Sequence, residues 1–92
     1  MIVKKMLFIY NPNAGTGTLK PKLSDVIDVF TKAGYEVTVY PTQKYHDGIE
    51  KMESCSNGYD LIVCSGGDGT LDEVVTGMRK RSYKAPLGYI PA

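Results

Sequence analysis

The chain has 92 residues, 42% of them hydrophobic, and a formal net charge of +1 at pH 7. That length allows one domain with a modest core and excludes a complete full-sized kinase or dehydrogenase. The near-neutral charge gives no basic footprint for nucleic acid, and no apolar run reaches the length of a membrane span. Met1 to Tyr10 lacks the small-residue cleavage site of a signal peptide. Cys55 and Cys64 sit in apolar patterns without C-x-x-C spacing, so they read as buried thiols of a reducing, cytoplasmic protein.

Lys5 to Tyr10 predicts a first strand, apolar enough for the interior of a sheet. It stops at Asn11-Pro12-Asn13-Ala14-Gly15-Thr16-Gly17, where Pro12 fixes one φ and Asn11 and Asn13 can bond the local backbone. Taken alone, this run is a connecting loop, though its amides can also hold phosphate oxygens. Leu23, Val26, Ile27 and Phe30 share one face of a helix predicted from Leu19 to Ala33, with Pro21 in its first turn and Gly34 as its stop. Tyr35 to Tyr40 predicts a second strand, closed by Pro41-Thr42. Asp47 and Glu50 have the spacing of a capping box ahead of a short helix through Ile49, Met52 and Cys55 that ends at Asn57-Gly58. His46, the only histidine, has no carboxylate or cysteine at ligand spacing and reads as a solvated loop residue.

The most informative stretch comes next. Leu61 to Cys64 is written as a strand buried on both faces, and Leu71, Val74, Val75 and Met78 mark one face of a following helix. Between them lies Ser65-Gly66-Gly67-Asp68-Gly69-Thr70, whose glycines call for positive φ or close approach of backbone to a ligand. Such a loop opening a helix presents free amides and the positive end of the dipole, which together favour phosphate. Asp68 would repel phosphate unless a cation intervenes, and Mg2+, which takes carboxylate and phosphate oxygens together, resolves the conflict. The plainer alternative is a tight strand-to-helix turn with Asp68 as a turn residue. Thr70 and Glu73 are expected to form the capping box of this helix, and Arg79-Lys80-Arg81 to complement its negative end. A contact of that basic end with an anionic membrane surface is the alternative. Pro86 to Ile90 predicts a fourth strand, and the scattered tyrosines read as interfacial packing.

Alternating strands and helices predict an α/β fold, a three-layer, Rossmann-like open parallel sheet with helices on both faces. Ligands of such sheets bind beyond the carboxyl ends of the strands, which puts the loops after the first, second and third strands on one edge. The Walker pattern fails because Thr70 is not preceded by Lys, and the dinucleotide fingerprint fails because Gly15 and Gly17 lack the third glycine.

Asn11-Pro12-Asn13-Ala14-Gly15, then Gly66-Gly67-Asp68-Gly69-Thr70, then Gly88-Tyr89-Ile90-Pro91, in that order, resemble the catalytic domain of the diacylglycerol kinase family, which includes bacterial soluble lipid kinases and sphingosine kinases. The resemblance spans nearly the whole chain. The glycine-aspartate loop alone also occurs in NAD kinases, and the first motif favours the lipid-kinase branch. The resemblance implies the N-terminal domain fold of that group, with residues 1–92 as its nucleotide-binding subdomain. It further implies transfer of the γ-phosphoryl group of ATP, with Mg2+, to a lipid hydroxyl such as that of diacylglycerol at a membrane surface. By position, Asn11, Pro12, Asn13, Ala14 and Gly15 lie on the nucleotide and Thr42 lines its pocket. Gly66, Gly67, Asp68, Gly69, Thr70, Leu71, Asp72 and Glu73 cradle its phosphates, with Asp68 joining the Mg2+ and water network. Asp72 departs from the asparagine more usual there.

In the family, the position of Pro91-Ala92 leads into a further nucleotide-contacting segment. A second, mostly β domain then carries the catalytic carboxylate, so these residues alone are expected not to turn over. The alternatives are a non-catalytic nucleotide-binding module and an NAD kinase relative. No nucleic-acid partner is expected, membrane contact is expected to be peripheral, and exposed apolar surface on so short a sheet allows self-association.

Overall fold

The structure, a computed structural model, describes residues 3–13 and 19–91. Among the described residues seven elements alternate: β1 (Lys4–Tyr10), α1 (Leu19–Lys32), β2 (Tyr35–Pro41), α2 (Asp47–Ser54), β3 (Leu61–Gly66), α3 (Asp68–Lys80) and β4 (Leu87–Pro91). The strands form one parallel sheet in the order β2-β1-β3-β4. The predicted α/β architecture and strand assignments hold, with ends differing by one or two residues.

The apolar pattern explains the order. Met6, Leu7, Phe8 and Ile9 of β1 are all fully buried, as a strand with neighbours on both edges and helices on both faces requires. Each such side chain is worth about 1.5–3 kcal/mol of transfer free energy. Alternate residues feed two cores. Met6, Phe8 and Val63 pack with Leu23, Val26 and Phe30 of α1, whereas Leu7, Ile9, Ile62 and Cys64 pack with Met52 of α2 and Val74 and Met78 of α3. One helix therefore covers one face and two cover the other. Gly34, at φ +97, ends α1 as expected.

α2 and α3 touch almost backbone to backbone. A Cβ at Gly77 would lie 2.7 Å from Met52 Cβ and 2.8 Å from the Ile49 carbonyl oxygen. A Cβ at Gly48 would lie 3.1 Å from Glu73 Cβ.

Two local expectations are overturned. Asp47 is not the N-cap of α2: His46 takes that place in the left-handed conformation, at φ 66, and makes no side-chain cap bond. The Asp47 carboxylate turns inward instead, and Glu50 pairs with Lys44 at 3.2 Å. Likewise α3 starts at Asp68 with Gly67 as N-cap, so Thr70 and Glu73 make no capping box. The turn at Gly66, φ +156, starts the helix three residues earlier than a Thr70 cap would and leaves Thr70 buried in the first turn.

The basic end of α3 also divides its work. Arg79 and Lys80 lie in the last turn, as the dipole favours. Arg81 leaves its own helix and caps α2, donating to the carbonyls of Met52 at 2.9 Å and Cys55, and to Asn57 Oδ1 at 2.5 Å. This is why α2 stops at Ser54, short of Asn57-Gly58.

Both cysteines are free and buried, as expected. Burial pushes the Cys64 thiol from 9.0 up to about 11, and burial likewise raises Cys55, against the opposing charges of Arg81 and Lys51. A thiol that keeps its proton more tightly when folded stabilises the fold fully below pH 9 and loses that contribution as pH rises through 11. Urea unfolding is therefore expected to show stability flat from pH 7 to 9 and falling above it, by up to about 3 kcal/mol from Cys64. In Cys64→Ala the fall should be visibly smaller. An unchanged alkaline fall in that variant would assign it to other groups.

Candidate functional site

β1 lies between β2 and β3, and the chain leaves β1 for α1 on one face but leaves β3 for α3 on the other, so the loops after these two adjacent strands diverge. A crevice opens at such a switch point, at the carboxyl ends of the strands. Backbone hydrogen bonds fix the loops that surround it. The Asn11 N–H donates to the Ser65 carbonyl at 3.1 Å and the Thr42 N–H to the Tyr10 carbonyl at 2.8 Å, so all three loop starts are laced together. Asn11 Oδ1 also accepts the Asn13 N–H at 2.9 Å, closing the local turn that its sequence suggested.

The resulting cleft, of about 300 Å³, is lined by Asn11, Asn13, Thr42, Gln43, Lys44, Tyr45, Thr70 and Glu73. Residues from all three predicted loops thus meet in one place. Pro12 is half-buried in the same turn, and Ala14 and Gly15 lie outside the described residues. The glycine loop splits between two surfaces. Thr70 and Glu73 face the cleft, whereas Asp68, Gly69, Leu71 and Asp72 line an open depression beside it, together with Val75. Gly67, Asp68 and Gly69 are exposed at the start of α3, and a Cβ at Gly67 or Gly69 would meet nothing within 4 Å. Gly66 is different: a Cβ there would sit 2.5 Å from Thr70 Oγ1. Only glycine fits at that bend.

Gln43, Lys44 and Tyr45 were not legible as cleft residues. They are held there by Asp47, only 5% exposed, whose Oδ2 accepts the Tyr40 hydroxyl at 2.8 Å and the Gln43 N–H at 2.7 Å. That hydrogen bond, with burial and the charges of Asp47 and Glu50 behind it, holds the Tyr40 phenol above its ordinary value of 10.0. It remains a donor throughout the neutral range. Glu73 is tied as well: its Oε1 accepts the Gly48 N–H at 3.1 Å, giving the first turn of α2 a cap from the neighbouring helix. Tyr89 does more than the packing expected of the tyrosines. Its hydroxyl donates to the Gly66 carbonyl at 2.8 Å. Tyr45 also departs from the packing role, being 82% exposed with its ring 3.8 Å from that of His46. His46 is exposed, as expected.

Among the described residues no three His, Cys, Asp or Glu side chains cluster closely enough to hold a metal ion. Asp68 is an exposed carboxylate at a helix N-terminus, with Asp72 one turn on in the same depression. This donor set fits Mg2+, which keeps several waters and takes one or two carboxylates with substrate phosphates. It does not suit a metal that needs a full cage of protein ligands.

The sequence matches the family described as the Diacylglycerol kinase catalytic domain over residues 5–92. The chain belongs to that family. It is 39% identical over 89 residues to proteins named diacylglycerol kinase from Staphylococcus aureus strains JH9 and Newman, covering 96% of this chain and 28% of each relative. The fold superposes on the crystal structure of a diacylglycerol kinase from Bacillus anthracis str. Sterne with a TM-score of 0.85 and 28% identity, over 100% of this chain and 34% of that one. The chain thus spans less than a third of the length of the curated relatives it matches. Among the described residues, no helix is long and apolar enough to cross a membrane.

Proposed function

We propose that this chain is the ATP-binding part of a lipid kinase that transfers the γ-phosphoryl group of ATP to a lipid hydroxyl such as that of diacylglycerol. The observation that carries the reading is the meeting of the three loops in one cleft at the switch point, in a chain whose relatives are named diacylglycerol kinase. Asn11, Asn13, Thr42 and Thr70 offer neutral donors and acceptors to the nucleotide, and Pro12, Ala14 and Gly15 are assigned to the same nucleotide-binding loop by their place in the sequence. The exposed start of α3, from Gly67 to Gly69, offers backbone N–H groups and the positive end of a dipole to phosphate oxygens. Gly66 and Thr70 set the bend that presents them, and Leu71, Asp72 and Glu73 complete the turn.

Mg2+, when bound, supplies charge neutralisation on the phosphates. Asp68 would hold it, through water. Phosphoryl transfer needs positioning and charge stabilisation more than covalent help, and both are what this end of the sheet is built to give. The acceptor hydroxyl would come from a lipid at a membrane surface, reached peripherally by a cytoplasmic enzyme. Deprotonation of that hydroxyl is assigned to a carboxylate outside residues 1–92.

Phosphoryl transfer from labelled ATP by the complete reading frame that carries this chain tests the reading, with diacylglycerol micelles, other lipids and NAD as separate acceptors. Label is expected in lipid. Label in NAD alone would make the protein an NAD kinase relative, and binding of Mg-ATP without labelling of any acceptor would make it a binding module.

A further inference from the structure

Tyr89 lies on β4, outside the cleft, yet its hydroxyl reaches across to the last carbonyl of β3. The carbonyl of Gly66 and the N–H of Gly67 belong to one peptide plane. That peptide is trans, since the described residues contain no cis peptide bond, and in a trans peptide C=O and N–H point in opposite directions. Fixing the carbonyl toward Tyr89 therefore fixes the Gly67 N–H away from it. β4 and β1 flank β3 on opposite sides, so the direction away from Tyr89 is the side on which Asn11 and Asn13 stand.

The plane needs such a hold. Gly66, at φ +156, and Gly67 both lack a side chain, so the peptide between them has little of its own to stop it from rotating. Thr70 blocks one side, with Oγ1 2.5 Å from where a Gly66 Cβ would be, and the phenol anchors the oxygen. A carbonyl that accepts a hydrogen bond also polarises its own amide, which makes the N–H a better donor. Gly67 is exposed, and a Cβ there would meet nothing within 4 Å, so the residue stands open to solvent at the start of α3.

We propose that Tyr89 is a positioning residue for nucleotide binding: by holding the Gly66 carbonyl it aims the Gly67 N–H at an anionic phosphate oxygen in the cleft. The proposal rests on the nucleotide reading given above. Tyr89 touches no substrate itself. Its effect is carried by one peptide.

The test uses the full-length protein and Mg-ATP as the probe, with Tyr89→Phe, Gly67→Pro and the double variant. Tyr89→Phe removes the hydroxyl alone. Gly67→Pro removes the N–H at a residue whose φ of −80 suits proline. Tyr89→Phe is expected to raise Kd and KM for ATP about three- to tenfold, the worth of one hydrogen bond, with KM for the lipid unchanged and the melting temperature lowered by only a few degrees. In the Gly67→Pro background the same change should have no further effect on ATP. Wild-type protein that does not bind Mg-ATP would overturn the nucleotide reading and this proposal with it. Wild-type binding that Tyr89→Phe leaves unaltered would overturn the role of Tyr89 alone, as would losses that simply add in the double variant or a KM rise shared equally by ATP and lipid.

Discussion

Gly77→Val is expected to destabilise the protein by about 3 kcal/mol or more, although valine is a better helix former than glycine by a few tenths of a kcal/mol. Position 77 lies in the interior of α3, where propensity alone favours any residue with a side chain. The opposing effect is larger. A Cβ there would stand 2.7 Å from Met52 Cβ and 2.8 Å from the Ile49 carbonyl oxygen, and neither atom can rotate away. Relief requires α2 to move outward by roughly 1 Å, which loosens the packing of Met52 and Val74 that both helices share. Gly77→Ala should show the balance at a smaller scale, with a net loss of about 1–2 kcal/mol after its propensity gain of about 1 kcal/mol. Urea unfolding followed by circular dichroism measures both, and the alanine variant should melt roughly 5–15 °C lower. Wild-type stability in Gly77→Ala would mean that the two helices separate at no cost.

Asp68→Asn is expected to lower phosphoryl transfer by the full-length protein about a hundredfold or more, on the scale of removing one preorganised charge from a phosphoryl-transfer site. Its structural effect should be small. Asp68 is exposed in the first turn of α3, where a carboxylate gains about 0.3–1 kcal/mol from the helix dipole. Asparagine keeps the shape and part of the hydrogen bonding, so the melting temperature should fall by no more than a few degrees. Binding of ATP without metal should be unaffected or tighter, because a carboxylate near phosphates is repulsive without a cation. The Mg2+ concentration needed for half-maximal rate should rise. Activity within twofold of wild type would reduce Asp68 to a partner of the helix dipole.

The sequence is most legible where the physics is periodic. The unbroken run Met6 to Ile9 announced an interior strand, and Leu23, Val26 and Phe30 announced the face that α1 buries. The loops after β1, β2 and β3 could be placed on one edge because parallel strands leave no other choice. What misled was polar spacing. Thr70 with Glu73, and Asp47 with Glu50, have the separation of a capping box, but a carboxylate binds whichever donor the tertiary fold brings nearest. Glu73 meets Gly48, which is 25 residues away, and Asp47 meets Tyr40 from the preceding strand. Arg81 serves the end of another helix for the same reason. Tyr89 looked like packing because a tyrosine's ring and its hydroxyl answer to different neighbours, and only the ring has a sequence pattern. One polar group stays unexplained: Ser65 Oγ is buried at the end of β3 and has no hydrogen-bond partner among the described residues.

The strand order carries a cost during synthesis. β1 is made first, yet its partners are β2 and β3, each reached only after a crossover helix, so no strand pair can form locally as a hairpin would. At ribosomal speeds the run Met6 to Ile9 must wait roughly 3–10 s for the second of its two neighbours to emerge. During that interval the edge of β1 that β3 will cover, and the apolar side chains beside it, are open to other chains. Slowing or speeding translation between residues 41 and 61 should therefore change how much protein reaches the soluble fraction while leaving the stability of the folded molecule untouched.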